Sequence, residues 1–366
     1  MSKTTILSIH AFGHDTSASL MIDGEIVSAC EQERYTGDKH SKIFPIDAVN
    51  DCLLIGGVKI DDVDLVVIPY LPDVMIRERY LKSALESDIR LEFLKNDLNY
   101  VKQFFNIEED IKSKLSYSGR VEFLEHHMCH LSSSYYSSGF NDPLVVSYDG
   151  LGEIDTMAIA IVENGKLVIK ENNNQYPHSL GLMYSAVTHY LGWKSSYDEG
   201  IVMGLASLGD SSAKVPGKDI SYLEVFEKIA VIKSDFIFEL SFPDYMNFYE
   251  ERDVWVGGKF IDYFGSKRGE NDDITQHHMN IAAGLQDRMQ DIIVAQLKAA
   301  RKKYNKNRLC ISGGVGLNCS MNGKIASLGI FDEIFVIPPA GDPGTTIGAC
   351  YLGNKMLGNE IKIKKR

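Results

Sequence analysis

An α/β protein of two lobes is what the sequence predicts, and three observations carry that prediction. A strand, polar loop, strand, hairpin and strand occur twice, roughly 140 residues apart. Strand-like and helical patterns alternate along the chain. A chain of 366 residues is also long enough for two cores, either as two domains or as two lobes of one.

The first copy of the unit begins with Ile6 to Ile9 and the turn Phe12-Gly13-His14-Asp15. Ser17 to Ile22 follows, then an Asp23-Gly24 turn and Glu25 to Cys30. An Asx-Gly pair flanked by alternating apolar residues is a hairpin signature. Gln32 to Ser41 is densely polar, and Pro45 opens an apolar helix that stops at Gly56-Gly57. Val63 to Ile68 reads as a strand, and residues from 74 to about 118 as a charged helical insertion.

The second copy starts at Leu144 to Ser147 and continues through the loop Asp149-Gly150-Leu151-Gly152-Glu153. Thr156 to Val162, an Asn164-Gly165 turn and Lys166 to Ile169 complete it. Two such loops facing each other suit a phosphate, because backbone N–H groups bind anions without side chains. A helix then runs from about His178 to Trp193, followed by the loop and helix Tyr197 to Gly209. Residues 210–272 mix helix, aromatic strands and a polar loop, and a long amphipathic helix spans about 279–300. The strand Arg308 to Ser312 ends in Gly313-Gly314, and the strand Glu333 to Ile337 leads to Asp342 at the start of a last helix. The lobes are divided at 140: residues 1–140 with the insertion at 74–118, and 141–366 with an insertion at about 210–272. Lys362 to Arg366 is expected to be a solvated basic end.

Composition narrows the function. A formal charge of −12 argues against nonspecific nucleic-acid binding, which needs a basic surface. No apolar run approaches a membrane span, and a strand pattern begins at once after Met1-Ser2-Lys3, so no signal peptide is expected. The six cysteines contain no Cys-x-x-Cys pair and read as buried thiols of a cytoplasmic protein.

His126 and His130 stand four apart, so on a helix both imidazoles leave one face, the spacing by which two side chains share a metal ion. Asp149, at the end of an apolar strand, can deliver a carboxylate to the same place. Asp342, between a strand and a helix, can deliver a second. Taken alone, the histidine spacing also fits ordinary surface structure. His127 reads as a neighbour pointing away and Cys129 as a small core residue. Glu199 beside Gly200 fits either a ligand-touching loop or an acidic first helical turn. Gly313 and Gly314 would let the backbone approach a nucleotide, with Asn318 placed to bond its base or ribose.

Four stretches together, in order over nearly the whole chain, resemble the O-carbamoyltransferases of the nodulation-protein-U and cephem-carbamoyltransferase type. They are Gly13-His14-Asp15-x-Ser17-Ala18 with Glu31-x-Glu33-Arg34 and Lys39-His40; His126-His127-x-x-His130; Asp198-Glu199-Gly200-x-Val202-Met203-Gly204; and Gly313-Gly314-Val315-x-Leu317-Asn318 with Pro339-Ala340-Gly341-Asp342-x-Gly344. The resemblance implies an actin-like ATPase fold, two lobes from a duplicated ribonuclease-H-like core. It further implies an enzyme passing a carbamoyl group from carbamoyl-adenylate, formed with ATP, to a small-molecule hydroxyl.

By position it assigns His126, His130, Asp149 and Asp342 to a divalent metal, Fe2+ first. His14 would act on the acceptor hydroxyl, a suitable task for a neutral imidazole near pH 7. Lys39 would lie near the carbamoyl group, and Gly150, Gly152, Glu199, Gly200, Gly313, Gly314 and Asn318 would line the adenylate. Two departures qualify it: Ile201 stands where the family usually has Lys, and Leu208 where it has Tyr. The family's second, adenylate-forming domain is not found in these residues, so a separate protein is expected to supply the donor. A stand-alone ATP-dependent ligase and a nucleotide-binding regulatory subunit fit the same pattern as alternatives.

Overall fold

The computed structural model describes residues 3–361, so the basic end at 362–366 lies outside the described residues. The first sheet contains β1 (Thr5–His10), β2 (Ser17–Ile22), β3 (Glu25–Glu31), β4 (Leu65–Ile68) and β5 (Arg120–Phe123), in the order β3-β2-β1-β4-β5. The second contains β6 (Leu144–Tyr148), β7 (Met157–Glu163) and β8 (Lys166–Glu171). A separate hairpin follows, β9 (Ala230–Ser234) with β10 (Ile237–Leu240), and then β11 (Arg308–Ser312) and β12 (Glu333–Val336) join the second sheet. Its order is β12-β11-β6-β7-β8, the first sheet's order read from the other edge. The pairing repeats as well. β1 is antiparallel to β2 and parallel to β4, while β6 is antiparallel to β7 and parallel to β11. The duplication expected from the sequence is therefore present in topology.

The central strands are buried on both faces: every residue of β1, β4 and β6 is inaccessible to solvent or nearly so. Each large apolar side chain so buried contributes about 1.5–3 kcal/mol. Helices cover both faces: α1 (Ile46–Gly56), α2 (Asp88–Phe105), α3 (His126–Ser138), α4 (Leu180–Tyr190), α5 (Glu199–Ala206), α6 (Gln276–Tyr304), α7 (Cys319–Ser327) and α8 (Thr345–Met356). α2 belongs to the charged insertion expected at 74–118, which also includes a π-helical turn at Met75–Leu81 and a helix at Ile107–Leu115. Phe104, Ile107, Ile111 and Leu115 fasten this insertion to the first lobe's core.

Two helices cross between the lobes. α3 packs Leu131, Tyr135 and Tyr136 against Val145, Cys310 and Phe335 of the second sheet. α8 packs Ala349 and Cys350 against Ile6, Met21 and Leu65 of the first. α3 and α8 meet so closely that a Cβ on Gly348 would fall 1.8 Å from the Cys129 carbonyl oxygen. Only glycine permits that approach. Of the five serines of α3, Ser132, Ser133, Ser134 and Ser138 are fully buried, small enough for a helix enclosed over most of its surface. This crossing sets the start of α3, with its histidines, beside the residues that lead into α8.

Candidate metal centre and the cleft around it

α3 begins at His126 because Glu125 caps it, its carboxylate accepting from the His127 and Met128 N–H groups. One turn in, His126 and His130 share a face, and the end of β6 and the start of α8 bring Asp149 and Asp342 to it. His126 Nε2 lies 3.2 Å from Asp149 Oδ2 and 3.6 Å from Asp342 Oδ1. His130 Nε2 lies 3.5 Å from each of the same two oxygens. The four ligand atoms all fall within 4.8 Å of one another.

These separations fit a cation better than they fit hydrogen bonds. Tetrahedral ligands at about 2.1 Å from a metal are roughly 3.4 Å apart. Neither nitrogen of the fully buried His130 has a hydrogen-bond partner among the described residues. His126 Nδ1 faces the Pro69 carbonyl at 3.3 Å, so the proton on that nitrogen leaves Nε2 free for a metal. Asp149 turns its other oxygen, Oδ1, to accept from the Gly314 N–H at 2.8 Å. Two imidazoles and two carboxylates suit iron, manganese or zinc.

Without a cation the cluster holds protons instead. Burial pulls the His126 imidazole down, but the Asp149 hydrogen bond and the Asp342 charge more than offset it and raise it to about 10. Asp149 is buried yet kept well below the usual carboxylate range by the two histidines. His10, on β1, is buried and pushed down to about 4 despite Asp342, 3.7 Å from its Nε2.

His14 stands at the edge of the cluster, its Nδ1 3.9 Å from Asp342 Oδ2 and 2.8 Å from Asp15 Oδ2. Burial opposes its charge, but Asp15 and Asp342 hold its proton and raise it to about 9. Those two carboxylates favour the protonated imidazole over the neutral one expected near pH 7. Lys39 reaches across the cleft, donating from Nζ to the Tyr197 carbonyl at 3.0 Å.

The glycines divide into two sorts. Gly313 has φ +86°, and a Cβ there would lie 2.1 Å from the Tyr148 carbonyl oxygen. A Cβ on Gly314 would crowd Asp149, and one on Gly152 would press on the rings of His126 and His127. Gly150 and Gly200 face open space. Glu199 lies in the first turn of α5 and accepts from the Ser185 hydroxyl and the Ser196 N–H. Asn318 caps α7, its Oδ1 accepting from the Met321 N–H while its amide pairs with Gln286. Ile201 and Leu208 are both exposed.

Several residues gain a role that the sequence did not assign. His127 does turn away from the cluster, but it is fully buried, pairing Nδ1 with the Ser147 hydroxyl and Nε2 with the Asp155 carbonyl. Glu153 ties the two lobes together, accepting from the N–H groups of Leu71 and His126, and burial pushes it up to about 7. Asp15, Glu33 and His40 form a second group with metal-ligand side chains. Each was visible only as a motif letter. The cysteines also need correction: Cys52, Cys129, Cys310 and Cys350 are buried, but Cys30 is partly accessible and Cys319 exposed.

Residues 5–351 match the family described as Carbamoyltransferase N-terminus. The chain belongs to that family. The uncharacterized protein sll1178 of Synechocystis sp. is 32% identical over 99% of this chain and 59% of its own length. Nodulation protein NolNO of Sinorhizobium fredii is 31% identical over 95% of this chain and 47% of its own. The chain thus spans from 47% to 59% of the length of these relatives. The crystal structure of T. kodakarensis HypF superposes with a TM-score of 0.54 over 97% of this chain and 48% of its own, at 11% identity, a likeness of fold alone. With two sheets of one topology, the carbamoyltransferase N-terminal chain has the actin-like ATPase fold that the resemblance implied. Among its described residues no helix is long and apolar enough to cross a membrane.

Proposed function

We propose that this chain is a cytoplasmic carbamoyltransferase of natural-product biosynthesis. It passes the carbamoyl group of carbamoyl-adenylate to a hydroxyl (or amine) of a small-molecule acceptor. A divalent metal, Fe2+ first among candidates, sits on His126, His130, Asp149 and Asp342, and the ATP-derived donor comes from a separate adenylate-forming protein. The observation that carries this reading is the convergence of those four ligand atoms, with His14 at their edge. A cation there supplies charge to the adenylate phosphate, the leaving group.

The chain's own residues do the rest. Asp15 holds His14 by Nδ1, which leaves Nε2 for the acceptor hydroxyl. As the acceptor oxygen bonds to the carbamoyl carbon, His14 takes its proton and the bond from that carbon to the phosphate oxygen breaks. Such a base contributes ~10²–10⁴-fold. Cation charge on Asp342 removes part of what holds the His14 proton, returning the imidazole toward the range of a working base. Lys39, tethered at Tyr197, stands for the carbamoyl end. Gly150, Gly152, Gly313 and Gly314 line the phosphate, the N–H groups of Gly152 and Gly314 being already bonded to the Asp155 carbonyl and to Asp149 Oδ1. Glu199, Gly200 and Asn318 frame the adenosine through the starts of α5 and α7.

The test supplies preformed carbamoyl-adenylate, Fe2+ and a panel of hydroxyl and amine acceptors, and follows AMP release with the mass of the product. Acceptor-dependent release that a chelator abolishes supports the reading. ATP cleavage driven by another carboxylic acid, with no carbamoyl donor present, would replace it with the ligase alternative.

A further inference from the structure

A cavity of about 270 Å³ lies between the helical insertion of the first lobe and residues 248–255 of the second. That is close to the smaller end of small-molecule sites, about 300–1,000 Å³. Its walls combine Arg79, Arg90 and Arg252 with Tyr176, Phe248 and Trp255. Of these, Arg90 is the informative one. It is 5% exposed, yet among the described residues none of its hydrogen bonds is to an acid. Its Nε donates to the Ser83 hydroxyl at 3.4 Å, and its Nη1 to the Tyr176 hydroxyl at 3.4 Å and the Tyr249 carbonyl at 3.2 Å.

Arg90 therefore has only long bonds to neutral oxygens, with the faces of Tyr249 at 4.6 Å and Phe93 at 4.8 Å beside the guanidinium. Arg79, over the Tyr176 ring at 5.5 Å, also has no carboxylate among the described residues. Among the described residues the one ion pair lining the cavity joins Arg252 to Asp97 at 2.7 Å. With Asp253 the only other acid in the wall, a net positive charge remains in a chain whose total is −12. A buried cation is ordinarily paired, and a guanidinium in particular presents a planar fork that fits a carboxylate or a phosphate.

The cavity shares a chain segment with the reaction site. Leu151 in its wall is two residues from Asp149. Tyr100 of α2 is near enough to both to feel the charges of Arg79 and Asp97 and that of Asp342.

We infer that this cavity is the acceptor subsite and takes a small oxyanion-bearing molecule with a flat apolar or aromatic body. Its carboxylate or phosphate lies on Arg90 and Arg79, and its body lies against Trp255, Phe248 and Tyr176. The acceptor role rests on the transfer reading above. The binding chemistry does not.

Trp255 reports on occupancy once Trp193, the other of the chain's two tryptophans, is replaced in W193F. Benzoate, phenyl phosphate and neutral benzyl alcohol are titrated against W193F with neither donor nor metal present. Saturable quenching by benzoate, by phenyl phosphate or by both identifies the oxyanion and is the expected result. Benzyl alcohol is expected to bind at least about tenfold more weakly, the scale of one charged hydrogen bond. Arg79→Gln and the charge-keeping Arg90→Lys should each weaken the oxyanion by a similar factor at an unchanged melting temperature. Equal quenching by alcohol and oxyanion, no quenching at all, or indifference to both arginine changes would overturn the inference. In the transfer assay the oxyanion that binds should compete with the acceptor. Binding without competition would overturn the acceptor role while leaving the transfer reading intact.

Discussion

Two groups of metal-ligand side chains lie within one cleft, and they differ in what their neighbours already give them. His126, His130, Asp149 and Asp342 are held 3.2–3.6 Å apart, and His130 has no hydrogen bond from either nitrogen. Asp15, Glu33 and His40 lie at hydrogen-bonding distance. Asp15 accepts from His40 Nδ1 at 2.6 Å and pairs with His14 at 2.8 Å, while Glu33 accepts from the His40 N–H at 2.8 Å. Among the described residues, only Nε2 of His40 in this group is left without a partner. The first group is spaced for a cation between its members. The second is closed by its own bonds and serves to aim His14. Ligand-type residues in a cluster do not make a metal site unless their lone pairs are left over.

Substitutions can break that comparison. The largest separation is expected between two pairs of variants. His126→Ala and His130→Ala should each lower metal affinity by roughly 100-fold or more, exceeding the 10–100-fold typical of outer partners. Asp15→Asn should hold the metal within about twofold while transfer falls by ~10²-fold or more, because His14 loses its orientation. Metal content by mass spectrometry and AMP release read the two separately. If metal content follows Asp15, the assignment of the two groups is wrong.

Acidity sharpens the contrast. In the metal-free cleft His126 is raised to about 10, so a metal must displace its proton. Apparent affinity should therefore rise with pH through neutrality, by about tenfold per unit for each proton released, and level off near the raised value. Isothermal titration in buffers of different ionisation heat counts those protons. Affinity that is flat from pH 6 to about 9 would mean that the histidines are not the ligands.

Smaller effects are expected away from the ligands. Gly313→Ala puts a Cβ against the Tyr148 carbonyl at a positive φ and should cost about 2 kcal/mol or more in stability, read as a lower denaturation midpoint. His40→Gln should slow transfer only severalfold, since Asp15 keeps its contact with His14. A loss as large as that of Asp15→Asn would make His40 a direct participant in the chemistry.

The sequence revealed those parts of the fold that have a period. Alternating apolar residues around Asp23-Gly24 and Asn164-Gly165 announced both copies of the unit, and the two sheets share one topology. β5 went unread because it has four residues and shows no clean alternation of buried and exposed positions. The hairpin β9–β10 was hidden in a mixed segment, with Val231 to Ser234 all exposed.

At the site, His126 and His130 were legible from helical spacing and Asp149 from its strand end. Asp15 and His40 were not, for they sit in loops at φ +60° and +58°, where no periodic signal exists. Nor could spacing reveal that His127 is enclosed or that Pro69 lends its carbonyl to His126. Those facts follow from the crossing of α3 and α8, which is tertiary.

The most direct test of the account is anomalous diffraction from crystals grown anaerobically with Fe2+. One iron peak is expected among His126 Nε2, His130 Nε2, Asp149 Oδ2 and Asp342 Oδ1, with bonds of about 2.0–2.2 Å. A peak among Asp15, Glu33 and His40 instead, or none at either place, would contradict it.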